Sequence, residues 1–114
     1  MSSNGQIKNM LTSYITTIQG EKFIVLDDGI DKQTIAYKPE FDFLFNEENG
    51  WEVDWKAPLP TACSFAAIAG LSAHQVHDEL FPGINDLKLI DGLIELYGAF
   101  YDDYCDKAEE SMIP

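Results

Sequence analysis

The stretch FIVLDDGIDKQTIAY, residues 23–37, decides the fold class. It contains two runs rich in β-branched and aromatic residues, which are the residue types that favour strands. Between the runs lie Asp28 and Gly29, and glycine tolerates the positive φ that a tight turn demands. The stretch therefore predicts a β-hairpin.

A second hairpin is predicted from the stretch FDFLFNEENGWEVDWK, residues 41–56. Phe41, Phe43 and Phe45 alternate along the first arm, Asn49 and Gly50 make the turn, and Trp51, Val53 and Trp55 alternate on the return. This period of two is typical of strands around a turn. Together the two hairpins predict an antiparallel sheet of three or four strands between Lys22 and Lys56.

Before the hairpins, apolar residues recur with the spacing of a helix. They lie at i, i+3, i+4, i+7, i+8 and i+11, namely Ile7, Met10, Leu11, Tyr14, Ile15 and Ile18. This stripe predicts an amphipathic N-terminal helix. Ser3 or Asn4 is its expected cap, and Gly20 its expected stop.

After the hairpins, Pro58 and Pro60 break the strand pattern and introduce helices. The stretch FAAIAGLSAHQVHDEL, residues 65–80, predicts a helical hairpin. Its two helices meet at Gly70, and Ser72 caps the second one.

A long helix is predicted to begin at Asp86, with Asn85 as its cap. Its buried stripe is expected at Leu87, Ile90, Ile94, Tyr97, Tyr101, Tyr104 and Ala108. Gly92 and Gly98 each weaken a helix interior by about 1 kcal/mol, so a kink or break is expected near Gly98. The whole is an α+β arrangement in one domain, 1–114, with a helix and sheet in 1–57 and helices in 58–114.

Composition excludes several classes of partner. Twenty Asp and Glu face seven Lys and no Arg, which gives a net charge of -13. Such a chain repels polyanions and lacks the guanidinium groups that grip phosphates, so neither nucleic acid nor a membrane surface is expected as a direct partner. Because no apolar run approaches the roughly 18 residues of a membrane span and the N-terminus does not resemble a signal peptide, we expect a cytoplasmic protein.

The predicted helical hairpin resembles the DNA-binding motif of bacterial repressors. The shared features are small residues at the helix crossing, the turn glycine, the serine cap and an aliphatic anchor, carried by Ala66, Ala69, Gly70, Leu71, Ser72 and Val76. Asp78 and Glu79 would face phosphates with the wrong sign. We therefore interpret the hairpin as a scaffold or a protein-facing element.

Cys63 is a candidate nucleophile, because it precedes a helix and has His74 and His77 later in the chain as candidate bases. A similar helix-Gly-helix pattern follows the catalytic cysteine of some papain-like peptidases, where that cysteine lies nearer the position of Pro60 and a further histidine follows. No histidine follows His77. We expect no catalytic residue and no enzyme activity, with Cys63 and Cys105 as free core thiols, although a bridge between them is left open.

A candidate metal site comprises His74, His77 and Asp78, whose spacing can place them on one helix face. No clear fourth ligand accompanies them, so two exposed histidines are expected, with no metal and no cofactor. The acidic run from Asp27 to Asp31 lacks the order of a calcium loop and is interpreted as a hairpin turn.

Two clusters combine carboxylates with aromatic residues, a combination that anchors and steers protein partners. The first comprises Glu47, Glu48, Trp51, Glu52, Asp54 and Trp55. The second comprises Tyr101, Asp102, Asp103, Asp106, Glu109 and Glu110. Both are predicted to bind a partner, and the alternative is a merely solvated face.

These features favour an acidic inhibitor that engages the basic surface of a target, such as a nucleic-acid-binding protein or a nuclease. In type it resembles the anti-CRISPR and anti-restriction proteins of phages and mobile elements, which would act in the host cytoplasm, or toxin-immunity proteins. The alternative is a non-catalytic transcription-associated or assembly factor that docks through the helix-turn-helix-like hairpin, with a homodimer left open.

Overall fold

The computed structural model describes the backbone of residues 11–112 and the side chains of residues 11–106. The chain forms two compact units, one that ends at Ala57 and one that begins at Pro58. The first contains an antiparallel sheet and the second contains helices, so the α+β class is confirmed.

The first unit is built on a four-stranded sheet. Its strands are β1 (Thr12–Ile18), β2 (Glu21–Asp27), β3 (Lys32–Ala36) and β4 (Glu52–Asp54), in the spatial order β3-β2-β1-β4. The β2-β3 hairpin confirms the turn predicted at Gly29, whose φ is +91°. Asp28 fixes this turn, because its carboxylate accepts the N–H groups of Ile30 and Asp31 at 2.8 and 2.7 Å.

The predicted N-terminal helix is wrong over β1, where the chain is extended. Its predicted start, with Ser3, Asn4, Ile7 and Met10, lies outside the described residues. β1 reads TSYITTI, and its many β-branched residues lose rotamer freedom in a helix but pack well in a sheet. Gly20 and Gln19, both at positive φ, form the tight turn to β2 instead of ending a helix.

The second predicted hairpin is also wrong in its first arm. Residues Pro39–Leu44 form a 3-10 helix, in which Phe41, Leu44 and the following Phe45 are buried at i, i+3 and i+4. The return arm does form β4, but it pairs with β1 and places Val53 opposite Ser13. The sheet therefore has four strands, but one of them, β1, lies before the predicted range of Lys22 to Lys56.

Trp55 lies in the interior of the first unit with only 2% of its surface exposed. Its indole N–H donates to the hydroxyl of the fully buried Ser13 at 2.7 Å. Other buried apolar side chains of this unit are Ile24, Val25, Phe41, Leu44, Phe45 and Val53. Trp55 is therefore a core residue, which corrects its assignment to a partner-binding cluster.

The second unit consists of α1 (Pro58–Ala69), α2 (Ala73–Leu80) and α3 (Leu87–Met112). The predicted helical hairpin is confirmed. Gly70 turns the chain at φ +79°, and Ser72 and Gln75 exchange side-chain-to-backbone hydrogen bonds in a capping box. The cap of α3 is Asp86 and not Asn85, because the carboxylate of Asp86 accepts the N–H of Leu89 at 3.0 Å.

The buried stripe of α3 differs from the predicted one in its later part. The buried apolar side chains are Ile90, Leu93, Leu96 and Phe100, whereas Leu87, Tyr101 and Tyr104 are exposed. The side chain of Ala108 lies outside the described set. No break occurs at Gly98, because α3 is continuous through it. A Cβ built at Gly98 would lie 4.0 Å from the Cβ of Ala67 on α1.

Candidate functional site

Residues 46–51 form a compact turn that leads into β4, here called the Trp51 turn. Asn46 and Asn49 cap each other's backbone, each side-chain oxygen accepting the other's N–H at 3.2 and 3.1 Å. The Asn49 amide also donates to the carbonyl of Leu44 at 2.7 Å. These bonds hold the turn in one conformation.

Trp51 is displayed by this turn with 61% of its surface exposed. Its backbone is left-handed at φ +64°, directly after Gly50 at φ +67°. The Trp51 N–H donates to the carbonyl of Asn46 at 2.8 Å, which fixes this conformation. A left-handed backbone costs a non-glycine residue about 1–2 kcal/mol, and strain of this kind clusters at functional sites.

Four carboxylates surround Trp51 along the chain and all are exposed: Glu47, Glu48, Glu52 and Asp54. The Asp54 carboxylate accepts the backbone N–H of Lys56 at 2.9 Å. The first predicted cluster, without Trp55, is therefore an exposed indole among exposed negative charges. A cationic side chain can stack on such an indole while the carboxylates attract it.

The second predicted cluster lies on the C-terminal part of α3. Tyr104 has 63% of its surface exposed, Tyr101 and Asp102 are also exposed, and Asp103 is half-buried. A side-chain hydrogen bond from the Tyr101 hydroxyl to Cys105, one turn further along α3, raises the pKa of Tyr101 above its usual value, and the charge of Asp102 acts in the same direction.

Asp106 is exposed, whereas the side chains of Glu109 and Glu110 lie outside the described residues. The first cluster belongs to the first unit of the chain and the second cluster to the second unit.

Cys63 has the environment of a core residue. It is fully buried, and its Sγ lies 3.7 Å from the carbonyl oxygen of Ile90, to which it donates. Burial raises the pKa of the thiol to about 12. Since the thiolate is the nucleophilic form, this position is unsuited to nucleophilic chemistry at neutral pH. Cys105 is exposed, so the expectation of two core thiols is wrong for that residue.

The two histidines of α2 differ in their surroundings. The Nδ1 of His77 lies 2.8 Å from a carboxylate oxygen of the neighbouring Asp78, and His74 is exposed. Within residues 11–106, no three His, Cys, Asp or Glu side chains are grouped as metal ligands. At the β2-β3 turn, hydrogen bonds from the N–H groups of Asp31 and Ile30 lower the pKa of Asp28.

Two surface features of the second unit were missed by sequence reasoning. On α1, Phe65 and Ile68 are 62% and 52% exposed, although their neighbours in the sequence suggested a core. A wide, open depression of about 410 Å³ lies between the beginnings of α2 and α3, lined by Ser72, Ala73, His74, Leu87, Lys88 and Asp91. No local pattern distinguishes the outer face of α1, because this helix is uncharged and mostly apolar throughout.

Between residues 11 and 112, no helix combines the length and the apolar character needed to cross a membrane. In comparisons with known proteins, the chain matches no protein-family model, no curated protein and no solved structure.

Proposed function

We propose that this protein is a non-catalytic inhibitor that binds the basic surface of a protein partner. The observation that carries the proposal is Trp51. Its indole is exposed, its backbone is held in the left-handed conformation, and four exposed carboxylates flank it in the sequence. Tryptophan is among the residues that most often dominate the binding energy of interfaces. Carboxylates around it steer a basic partner and select against an acidic one.

The charge of the chain supports the same partner class. A net charge of -13 with no Arg disfavours phosphate groups as direct ligands and favours cationic ones. A basic surface on a protein is commonly a site for nucleic acid. On a target such as a nuclease, the inhibitor would occupy that basic surface and keep nucleic acid from binding there. Phage anti-defence proteins and toxin-immunity proteins are the classes that this mode of action fits.

The experiment begins with capture of the partner from the native host, followed by measurement with the purified partner. We expect the Kd to rise steeply with salt, because exposed charges are screened beyond about 10 Å at 0.1 M ionic strength. We also expect a nucleic-acid ligand of the partner to compete with this protein. Trp51→Ala is expected to weaken binding by at least about tenfold, corresponding to a loss of about 1.4 kcal/mol.

A matched pair of charge reversals gives the control. Glu47→Lys with Glu48→Lys alters the Trp51 turn, and Glu21→Lys with Glu40→Lys makes the same change of net charge at other exposed positions. Both pairs should weaken binding through the altered net charge, and the first pair should weaken it further because it lies at the proposed surface. Equal effects of the two pairs, or a Kd that does not depend on salt, would contradict the proposed surface. Asp102→Lys with Asp106→Lys tests the C-terminal cluster in the same assay.

A second candidate function is docking through the helical hairpin, in an assembly or transcription-associated role. The exposure of Phe65 and Ile68 on the uncharged helix α1 favours it. Exposed apolar residues grouped on one face mark interaction sites more often than scattered ones. Light scattering after size exclusion distinguishes the two: a homodimer that dissociates with Phe65→Gln and Ile68→Gln supports hairpin docking, and a monomer with unchanged partner binding argues against it.

A further inference from the structure

In the part of the chain that the structure describes, the outer side of β4 is an open sheet edge. β4 is the last strand in the order β3-β2-β1-β4, and within residues 11–112 no strand pairs with its outer side. An edge strand presents unpaired N–H and C=O groups, which form a template for another extended chain. Such a template gives affinity through main-chain hydrogen bonds and specificity through side chains.

The hydrogen-bond register shows which residue presents this template. The N–H of Trp55 donates to the carbonyl of Leu11 at 2.9 Å, so these residues form a hydrogen-bonded pair. Bonded and non-bonded pairs alternate along an antiparallel ladder, and Glu52 opposite Tyr14 is therefore a non-bonded pair. It follows that the N–H and C=O of Glu52 point away from β1, toward the open edge.

The side chains at this edge are acidic. Glu52 and Asp54 lie two residues apart, project on the same face of the sheet and are both exposed, and Trp51 directly precedes them. The opposite edge of the sheet is β3, which begins with Lys32 and is followed by Lys38. Within the strands themselves, β4 contributes Glu52 and Asp54 and no lysine, whereas β3 contributes Lys32, which lies opposite Asp27, and no carboxylate. An extended basic segment is therefore attracted more strongly to β4 than to β3.

We propose that β4 accepts an extended, lysine- or arginine-bearing segment of the partner as an antiparallel strand. One basic residue of that segment lies opposite Glu52 and forms both main-chain hydrogen bonds with it. A basic side chain of the same segment stacks on the indole of Trp51. This inference rests on the proposed function and specifies the kind of partner segment that the Trp51 turn recognises.

A peptide of alternating lysine and threonine tests the pairing, because backbone N-methylation can be placed on one residue type at a time. In the proposed register the lysines opposite Glu52 supply the paired N–H and C=O groups, and the threonines point theirs away. N-methylation of the lysines should therefore weaken binding about tenfold, whereas N-methylation of the threonines should have little effect. Both peptides carry the same charge and the same side chains.

Binding is measured on the full chain by the emission of Trp51, since docking withdraws this exposed indole from water while Trp55 is already buried. Trp51→Phe removes the signal, and a labelled peptide then gives the affinity by anisotropy. Equal binding of the two methylated peptides would overturn strand addition but leave a salt-dependent attraction and the proposed function intact. A homodimer dissociated by the peptide would assign the edge to a second copy and would likewise overturn the proposal.

If a captured partner is sensitive to reversal of Glu47 and Glu48 but no peptide of this kind binds at low salt, the strand pairing is also overturned while the proposed function stands. If neither the peptide nor a basic partner binds, both fail. The expected result is selective loss with the lysine-methylated peptide, together with weaker binding to the Trp51→Ala variant.

Discussion

The two cysteines of the chain differ in their access to solvent. Cys63 is fully buried with a thiol pKa of about 12, whereas Cys105 is exposed on α3. Thiol reagents need an accessible thiolate. We therefore expect the folded protein to react rapidly at one thiol and the denatured protein at two, as measured by titration with a chromogenic disulfide. Cys105→Ser should abolish the rapid reaction, and rapid reaction that persists in this variant would contradict the burial of Cys63.

The hydrogen bond between Trp55 and Ser13 contributes to the stability of the first unit. Both residues are buried, and Ser13→Ala removes the acceptor that the indole N–H uses. The expected loss is about 1–3 kcal/mol in the free energy of unfolding, measured by denaturant titration. Trp55→Phe gives the matched double-mutant cycle. Strictly additive losses in the double variant would mean that the two side chains do not interact.

The carboxylate of Asp28 makes the stability of the β2-β3 turn dependent on pH. Backbone N–H groups lower its pKa below the ordinary value of 3.8, so its contribution is present above that pH and is lost as the pH falls through the lowered value. Asp28→Ala should lower the melting temperature at neutral pH, and the difference from wild type should shrink below about pH 3.8. Glu40→Ala, at another exposed position, is the control and should show no such convergence.

At the scale of elements, replacing Gly98 or Gly70 with alanine should change the free energy of unfolding in opposite directions. Gly98 lies inside α3 with room for a Cβ, so Gly98→Ala should raise the free energy of unfolding by about 0.5–1 kcal/mol. Gly70 ends α1 at φ +79°, where a Cβ is strained, and Gly70→Ala should lower it by about 1 kcal/mol. Thermal unfolding of both variants measures the difference. A loss of stability in Gly98→Ala would indicate that α1 and α3 pack more tightly than described.

The sequence predicted some elements well, for identifiable physical reasons. The β2-β3 hairpin and the helical hairpin both depend on local signals, a turn glycine with a carboxylate and a glycine with a capping serine. Such signals act within a few residues of chain and do not require knowledge of the tertiary structure. The sheet edge at Glu52 is different, since it depends on the long-range pairing of β4 with β1.

The predictions that proved wrong concern segments whose apolar spacing fits more than one structure. β1 has apolar spacing that fits a helix, but its β-branched content favours a strand, and pairing with β2 and β4 decides between them. In α3 the segment around Leu93 and Leu96 is apolar on several sides, so spacing alone left the phase of the buried stripe ambiguous. For the candidate site, acidity was predictable, while the burial of Trp55 and the exposure of Trp51 were not.

At the scale of the whole molecule, salt should act in opposite directions on folding and on binding. A net charge of -13 destabilises the compact state by self-repulsion, and salt screens that repulsion. The melting temperature should therefore rise by a few °C, roughly, between low and physiological ionic strength. Partner affinity should fall over the same range. The Glu21→Lys and Glu40→Lys variant should show a smaller rise, and a melting temperature that falls with salt would contradict the role of self-repulsion.

The left-handed backbone of Trp51 has a consequence for how this protein would change under selection. A glycine or an asparagine adopts that conformation at a lower cost, so a chain selected only to fold would be expected to replace the tryptophan. Its replacement should therefore be frequent in laboratory evolution for thermostability alone. Replacement of Trp51 should be rare when survival depends on binding the partner. The two selections, run side by side, would separate the demands of folding from those of recognition.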